Sequence, residues 1–448
     1  MQLTARRTAL CLFTIAHFLG LGCPILASAA ELTGGPMVGV PEMREGRVWV
    51  QTDGPATVQA VFNTADNAGA SQASAPVRID ATTGFSAVLV LGPLDPDTTY
   101  RGRIRIDGEA QGSAFTLTTP PKFRGLRPPP DFTIAAGGAH YVNQKAYDPA
   151  FRSLGGDYDK VFASITAQQP DWMLWLGGST HVREADWGSF SGIAARYRHN
   201  RALTEAQELY RSIGHSGVVG AVDFGPPGND VYFWQRAEAA RAFRLFWPNP
   251  SQGVAGLDNH ATLLRWSDAE FFLLDDRTHR DLTPDLESQR TVLGEAQLDW
   301  LIASLRRSTA RFKIICMGSP ILNPAESPQH LAAAPSERER LLDALTTHQI
   351  AGVVFLTGGK RYGEFTKVVR RSAPDLYELT LGPLTASVLD IERDLNFFRV
   401  PGTTLEQRHF ATLTFQGEED ARELVVSVFD VDGEVIWSRT LPYAEMTF

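Results

Sequence analysis

The chain opens on short runs in which every second position is apolar. RVWVQT, TVQAVFN, FSAVLVLG and TYRGRIRID follow this period, and Gly, Pro, Asp and Asn separate them. A period of two marks strands with one buried face, so residues 31–120 are predicted to form a small all-β sandwich. Pro120, Pro121 and Pro128-Pro129-Pro130 then set a stiff linker over residues 121–130.

Beyond residue 130 the pattern changes. FTIAAGG, WMLWLGG, FKIICMG, AGVVFLTGG and LYELTLGP are apolar on consecutive positions, as expected of strands buried on both faces. Between them lie segments with a helical period. Val161, Phe162 and Ile165 share one face in YDKVFASITAQ; Leu298, Leu301, Ile302 and Leu305 share one in GEAQLDWLIASLRRS. ERERLLDAL is a third. The alternation predicts an α/β layered domain over residues 131–448. Its last part, HFATLTFQG and ELVVSVFDVDGEVIWSRTL, returns to period two and is expected to complete a second sheet. Asp430-Val431-Asp432-Gly433 supplies the hairpin turn.

Composition adds two constraints. The chain has 448 residues and a formal net charge of −9, which argues against a general nucleic-acid binder. Residues 1–30 read as an export signal: Arg6-Arg7, an apolar stretch over residues 9–21, then the small-residue site Ala27-Ser28-Ala29. The protein is therefore expected outside the cytoplasm, periplasmic or extracellular, by the Sec or twin-arginine route; a lipoprotein anchor at Cys23 is the weaker reading. No later segment is long and apolar enough to span a membrane. Of the three cysteines, Cys11 and Cys23 lie in the signal and Cys316 in an apolar strand, so the mature chain has no internal disulfide to draw on.

The motifs carry a resemblance. LDPDTTYRGRIRI is similar to the late strands of a fibronectin-like sandwich, with Tyr100 as its packing aromatic. In the remainder, FTIAAGGAHYVN, PDWMLWLGGSTHVREADW, RYRHNRAL, VDFGPPGND, FRLFWPNP, FFLLDDRTHRDL, LGEAQLDWLIASL and GVVFLTGGKR follow in an order that resembles the PhoD-type alkaline phosphatases and phosphodiesterases. These belong to the calcineurin-like metallophosphatases. The resemblance implies a four-layer α-β-β-α sandwich. It also implies, in active relatives, a metal centre that acidifies a bound water and polarises a phosphoryl oxygen.

The family's ligand phrases GSC, LGD, WDDHD and GDxH are all altered here. The resemblance places Ala139 where a cysteine ligand belongs, Gly178 in place of the bridging aspartate, and Gly220, Ala221 and Val222 in place of the next three ligand-motif residues. Gly359 and Arg361 replace the last acid and imidazole. No neutral aliphatic side chain ligates a divalent metal. The expectation is a metal-free, catalytically inactive member with no cofactor. Lys360, Arg361, His140 and His181 are its candidate anion-binding residues, and Asp223 and Asn229 a residual polar site. Turn or capping roles for Asp223, Asn229 and Asp230 compete with that reading. Asp275-Asp276-Arg277 reads as structural, and Trp172, Trp175, Trp187 and Trp247 as core aromatics. A phosphorylated or other anionic small molecule is the expected partner, and nucleic acid is not. Two alternatives stay open: an active phosphomonoesterase or phosphodiesterase with a site rebuilt on His140, His181 and Asp223, and a structural subunit of an envelope complex.

Overall fold

A computed structural model describes residues 29–448 other than 67–70, 151, 252, 255, 326 and 390–394. The export signal lies outside the described residues except for Ala29 and Ala30.

The N-terminal strands are β1 (Leu32–Val38), β2 (Gly46–Thr52), β3 (Ala56–Thr64), β4 (Gln72–Ala73), β5 (Val77–Ile79), β6 (Ser86–Leu91), β7 (Thr99–Ile106) and β8 (Glu109–Thr118). They form two sheets, ordered β1-β2-β6 and β4-β3-β7-β8, with β5 also paired to β3. The inward positions of both sheets, among them Val48, Val50, Val58, Leu89, Ile104 and Leu117, form one core. Tyr100 sits in it, 6.0 Å from the Phe62 ring between centroids. Its hydroxyl accepts the Asp95 N–H at 2.8 Å. Burying the ring while bonding the phenol fixes the turn before β7.

The main domain holds β9 (Phe132–Gly137), α1 (Tyr158–Ala167), β10 (Trp172–Leu176), α2 (Phe190–Arg201), α3 (Gln207–Ser212), β11 (Gly214–Val218), α4 (Ala221–Phe224) and α5 (Arg236–Phe246). There follow β12 (Thr262–Trp266), β13 (Ala269–Leu273), α6 (Glu295–Arg307), β14 (Phe312–Met317), α7 (Pro335–Thr347), β15 (Val353–Thr357), β16 (Glu364–Val368) and β17 (Leu376–Thr380). The last are β18 (His409–Gln416), β19 (Glu423–Asp430) and β20 (Val435–Pro442). Two six-stranded sheets result, ordered β11-β10-β9-β18-β19-β20 and β12-β13-β14-β15-β17-β16.

Strand chemistry explains the layering. In β10, Trp172, Leu174 and Leu176 point into the core between the sheets, while Met173 and Trp175 point to the helix side. In β14, Phe312, Ile314 and Cys316 face inward and Ile315 and Met317 face α6 and α7. Both faces of these strands are apolar because both are covered, giving a four-layer α-β-β-α sandwich. Cys316 is buried in the central layer and burial pushes its thiol up, as fits a packing residue.

One expectation needs correction. The C-terminal strands do not build the second sheet; β18 pairs antiparallel with β9 and extends the first. The second sheet is made by residues 262–380. The hairpin turn itself is present: the Asp430 carboxylate accepts the N–H groups of Asp432 and Glu434, and Gly433 adopts φ 84°.

The sandwich packs directly on the helix layer. Trp49 donates its indole N–H to Leu245 O at 3.0 Å, and Gln51 donates to Arg198 O. Arg201 is fully buried there, its guanidinium 4.1 Å from the Trp247 ring and also over Tyr210 and Trp49. Aromatic faces replace a carboxylate partner for this cation.

Candidate functional site

In an open α/β sheet the chemistry collects beyond the carboxyl ends of the strands. Here β9, β10, β11, β14 and β15 end at Gly138-Ala139, Gly177-Gly178, Val219-Gly220, Gly318-Ser319 and Gly358-Gly359. These ends meet backbone to backbone. Ala139 N–H donates to Gly177 O at 3.0 Å and His140 N–H to Gly178 O at 2.8 Å. A Cβ built on Gly220 would lie 2.7 Å from Gly178 N. One on Gly318 would lie 2.3 Å from Val219 O, and one on Gly359 2.2 Å from Gly318 O. Gly178 and Gly359 also adopt φ of 62° and 75°, a region that glycine enters freely.

Asp223, on the short helix α4, is the acid that bridges the ends of β10 and β11. Its carboxylate accepts N–H bonds from Gly178 at 2.7 Å, Gly220 at 2.8 Å and Thr180 at 2.6 Å. Burial pushes its pKa up to about 7, against those three bonds, which hold it down. The carboxylate ties the end of β10 to the end of β11. Removing it leaves three buried donors without an acceptor, at about 1–3 kcal/mol for such a group. Asp223→Ala is therefore expected to lower unfolding free energy by about 3 kcal/mol or more in urea titration. Asn229 has a similar bracing role, donating to Ala221 O and Pro226 O. Both residues thus take the turn-and-cap role rather than forming an open polar site.

The two histidines do not join Lys360 and Arg361 as charged anion ligands. His140 is buried against Tyr158, Phe162 and Trp175, with Nδ1 2.7 Å from Thr385 Oγ1. Burial and then the charges of Arg201 and Arg196 bring it down to about 3. His181 stacks edge-on to Tyr141, and burial with Arg196 and Arg361 brings it to about 4. Both are neutral near pH 7, and the Asp223 carboxylate is taken up by backbone N–H groups; among the described residues His140, His181 and Asp223 form no group placed to hold a metal ion.

Arg361 does face the rim. It is half-buried and donates to Ser387 Oγ at 2.7 Å, and Arg152 reaches the same hydroxyl at 3.4 Å. Lys360 lies beside them with Nζ 5.5 Å from the Tyr362 ring. Two guanidinium groups on one hydroxyl repel each other, and no carboxylate pairs with either among the described residues. Sequence reading missed Ser387 and Arg152. They sit in no motif; the segment after β17 carries Ser387 to the rim by bonding Leu384 N–H to Gly138 O and Ala386 N–H to Ala139 O.

Asp275 and Asp276 are buried scaffold. Asp276 takes both Nε and Nη2 of Arg277 and the Ser319 hydroxyl, and Asp275 accepts the N–H groups of His260, Arg277 and Thr278.

The donor set does not fit a divalent metal pair. Ala139, Gly178, Gly220, Ala221, Val222 and Gly359 offer no side-chain ligand atom, and Arg361 is a cation. Among the described residues no group of three His, Cys, Asp or Glu side chains is placed to hold a metal ion.

The two-sheet sandwich flanked by helices, with its rim at the strand ends, is a metallophosphatase fold. Residues 228–424 match the PhoD-like phosphatase family. A solved structure of PhoD superposes with TM-score 0.73 at 15% identity, covering 92% of each chain. A purple acid phosphatase isolated from yellow lupin (Lupinus luteus) seeds superposes with TM-score 0.68 at 12% identity, covering 92% of this chain and 75% of that one. Residues 29–122 match a domain of unknown function (DUF7800). No curated protein sequence matches the chain significantly.

Proposed function

We propose that this protein is an exported pseudo-phosphatase, a PhoD-type scaffold that binds an anionic ligand and does not hydrolyse it. One observation carries the reading. Asp223, the carboxylate that ties the ends of β10 and β11, is buried and bonded to three backbone N–H groups, and Ala139, Gly178, Gly220, Ala221, Val222 and Gly359 have no side-chain atom that could ligate a metal. Among the described residues the rim then offers no ligand set to hold a metal that would acidify water. Arg361 and Arg152, both on Ser387 Oγ, supply the positive charge that a phosphorylated or similar small anion would meet. The basic, apolar N-terminus supports export. Among the described residues no helix is long and apolar enough to cross a membrane. The sandwich order β1-β2-β6 over β4-β3-β7-β8, with the Tyr100 hydroxyl on the Asp95 N–H, supports a fibronectin-like domain.

The test pairs metal analysis of the purified full chain with hydrolysis of p-nitrophenyl phosphate and its bis-ester. Metal well below stoichiometry and no turnover above the uncatalysed rate are expected. Stoichiometric metal with turnover would sink the proposal.

A further inference from the structure

A feature of the N-terminal sandwich is independent of the strand-end rim. On β7 the alternate residues Arg101, Arg103 and Arg105 are all exposed on the outer face of their sheet. Alternate residues of an antiparallel strand stand about 7 Å apart, so three guanidinium stems form a straight row. Arg78 on β5 extends the same face, since it pairs with Thr57 of β3. The cross-strand neighbours of the row are Asn63, Val61 and Gln59 on β3 and Thr116 and Ala110 on β8. None is acidic. No ion pair relieves Arg101, Arg103 or Arg105 among the described residues, in a chain with 51 acidic and 42 basic residues; Arg78 alone has an acid, Asp80, near enough to feel its charge. A shallow groove of about 260 Å³ runs along the row, lined by Val61, the three arginines, Ala110 and Ala114.

Like charges side by side on a sheet repel and destabilise it. An acidic protein has ample carboxylates to break such a row and here does not. A row in a groove also differs from a cluster around one point: it matches a ligand whose charges are themselves spaced along a line. The face carries no aromatic side chain, which single-stranded nucleic acid uses for base stacking. Nor does it present large apolar anchors for a lipid surface. Asn63 and Thr116, flanking the row, suit hydroxyl-rich neighbours. We infer that the outer face of the β4-β3-β7-β8 sheet is a docking groove for a linear acidic polysaccharide, held by Arg101, Arg103 and Arg105.

The experiment measures binding of the full chain to heparin and to polygalacturonate over a range of salt, beside a single-stranded oligonucleotide and vesicles of anionic phospholipid. The wild type is expected to bind at least one polysaccharide despite its net charge of −9, with affinity falling as salt rises. The triple variant R101Q/R103Q/R105Q should bind at least about tenfold more weakly, while the corresponding triple lysine variant keeps most of the affinity. All three side chains are exposed and glutamine relieves their mutual repulsion, so a melting curve no lower than the wild type's is expected and separates lost binding from lost folding. Equal binding by the glutamine variant, no binding of either polysaccharide by the wild type, or tighter binding of the oligonucleotide or the vesicles would each overturn the inference. None of these outcomes bears on metal content or ester hydrolysis.

Discussion

Acidification below pH 6 is expected to destabilise the folded chain steeply, by about 4 kcal/mol per pH unit near pH 5. Five histidines drive it. Burial brings His140 and His215 down to about 3 and His181, His260 and His409 to about 4. The hydrogen bonds show why the neutral ring is required. His215 Nδ1 accepts the Trp175 indole N–H at 3.1 Å, and its Nε2–H faces Leu209 O. His409 Nε2 accepts the Gly382 N–H at 3.2 Å, with Nδ1 toward Gln407 O. Protonating either ring sets two donors against each other.

The sign follows from proton counts. In the unfolded chain these histidines titrate near 6.5, so below that pH unfolding takes up protons and stability is lost on acidification. Two acids oppose this. Burial raises Asp223 and Glu378 to about 7, so they hold protons in the folded state that the unfolded state releases above its ordinary carboxyl range. Near pH 7 the two groups nearly cancel. Near pH 5, unfolding takes up about five protons at histidine and releases about two at the acids, a net of about three. Urea titrations at pH 7, 6 and 5 check this. A midpoint that stays level down to pH 5 would show that these rings are charged or solvated in the folded state.

Much of the architecture was legible in the chain because burial dictates composition. WMLWL and FKIICM are apolar on both faces since each lies between a sheet and a helix layer. The alternating N-terminal runs have one face on a core and one in water. Pairing partners were less legible. HFATLTFQ announces a strand, yet nothing in its alternation says that it lies beside β9. The site divides the same way. The altered strand-end motifs were visible, and GGKR drew attention to Arg361. Asp223 looked like a leftover acid, because its donors come from residues 178, 180 and 220, and their N–H directions depend on the folded loops. His140 looked like a rim residue two positions beyond a glycine pair; the positive φ of Ala139, 53°, turns the chain so that the imidazole falls into the helix-side core.

Gly359→Asp, the substitution that would restore an acid at the β15 end, is expected to unfold the rim rather than rebuild a metal site. The backbone there has φ 75°, which costs a non-glycine residue about 1–2 kcal/mol. Steric conflict costs more. The new Cβ would stand 2.2 Å from the carbonyl oxygen of Gly318, a backbone atom fixed by β14. Relief requires moving β14 away from β15, and these strands pair over five residues in the centre of the second sheet. A loss above about 4 kcal/mol is expected, the range reserved for buried backbone conflicts. Gly359→Ala tests the cause, because it adds the same Cβ without the charge and should lose nearly as much. Gly178→Asp meets less resistance, with its Cβ 3.2 Å from Ala139 Cα at φ 62°, but it sets a second carboxylate beside Asp223. The double variant G178D/G359D should therefore be less stable than either single one and still take up no stoichiometric zinc, manganese or iron. Should Gly359→Asp melt like the wild type, the strand ends are not closed as described, and metal uptake by the double variant would return the scaffold to the class of latent enzymes.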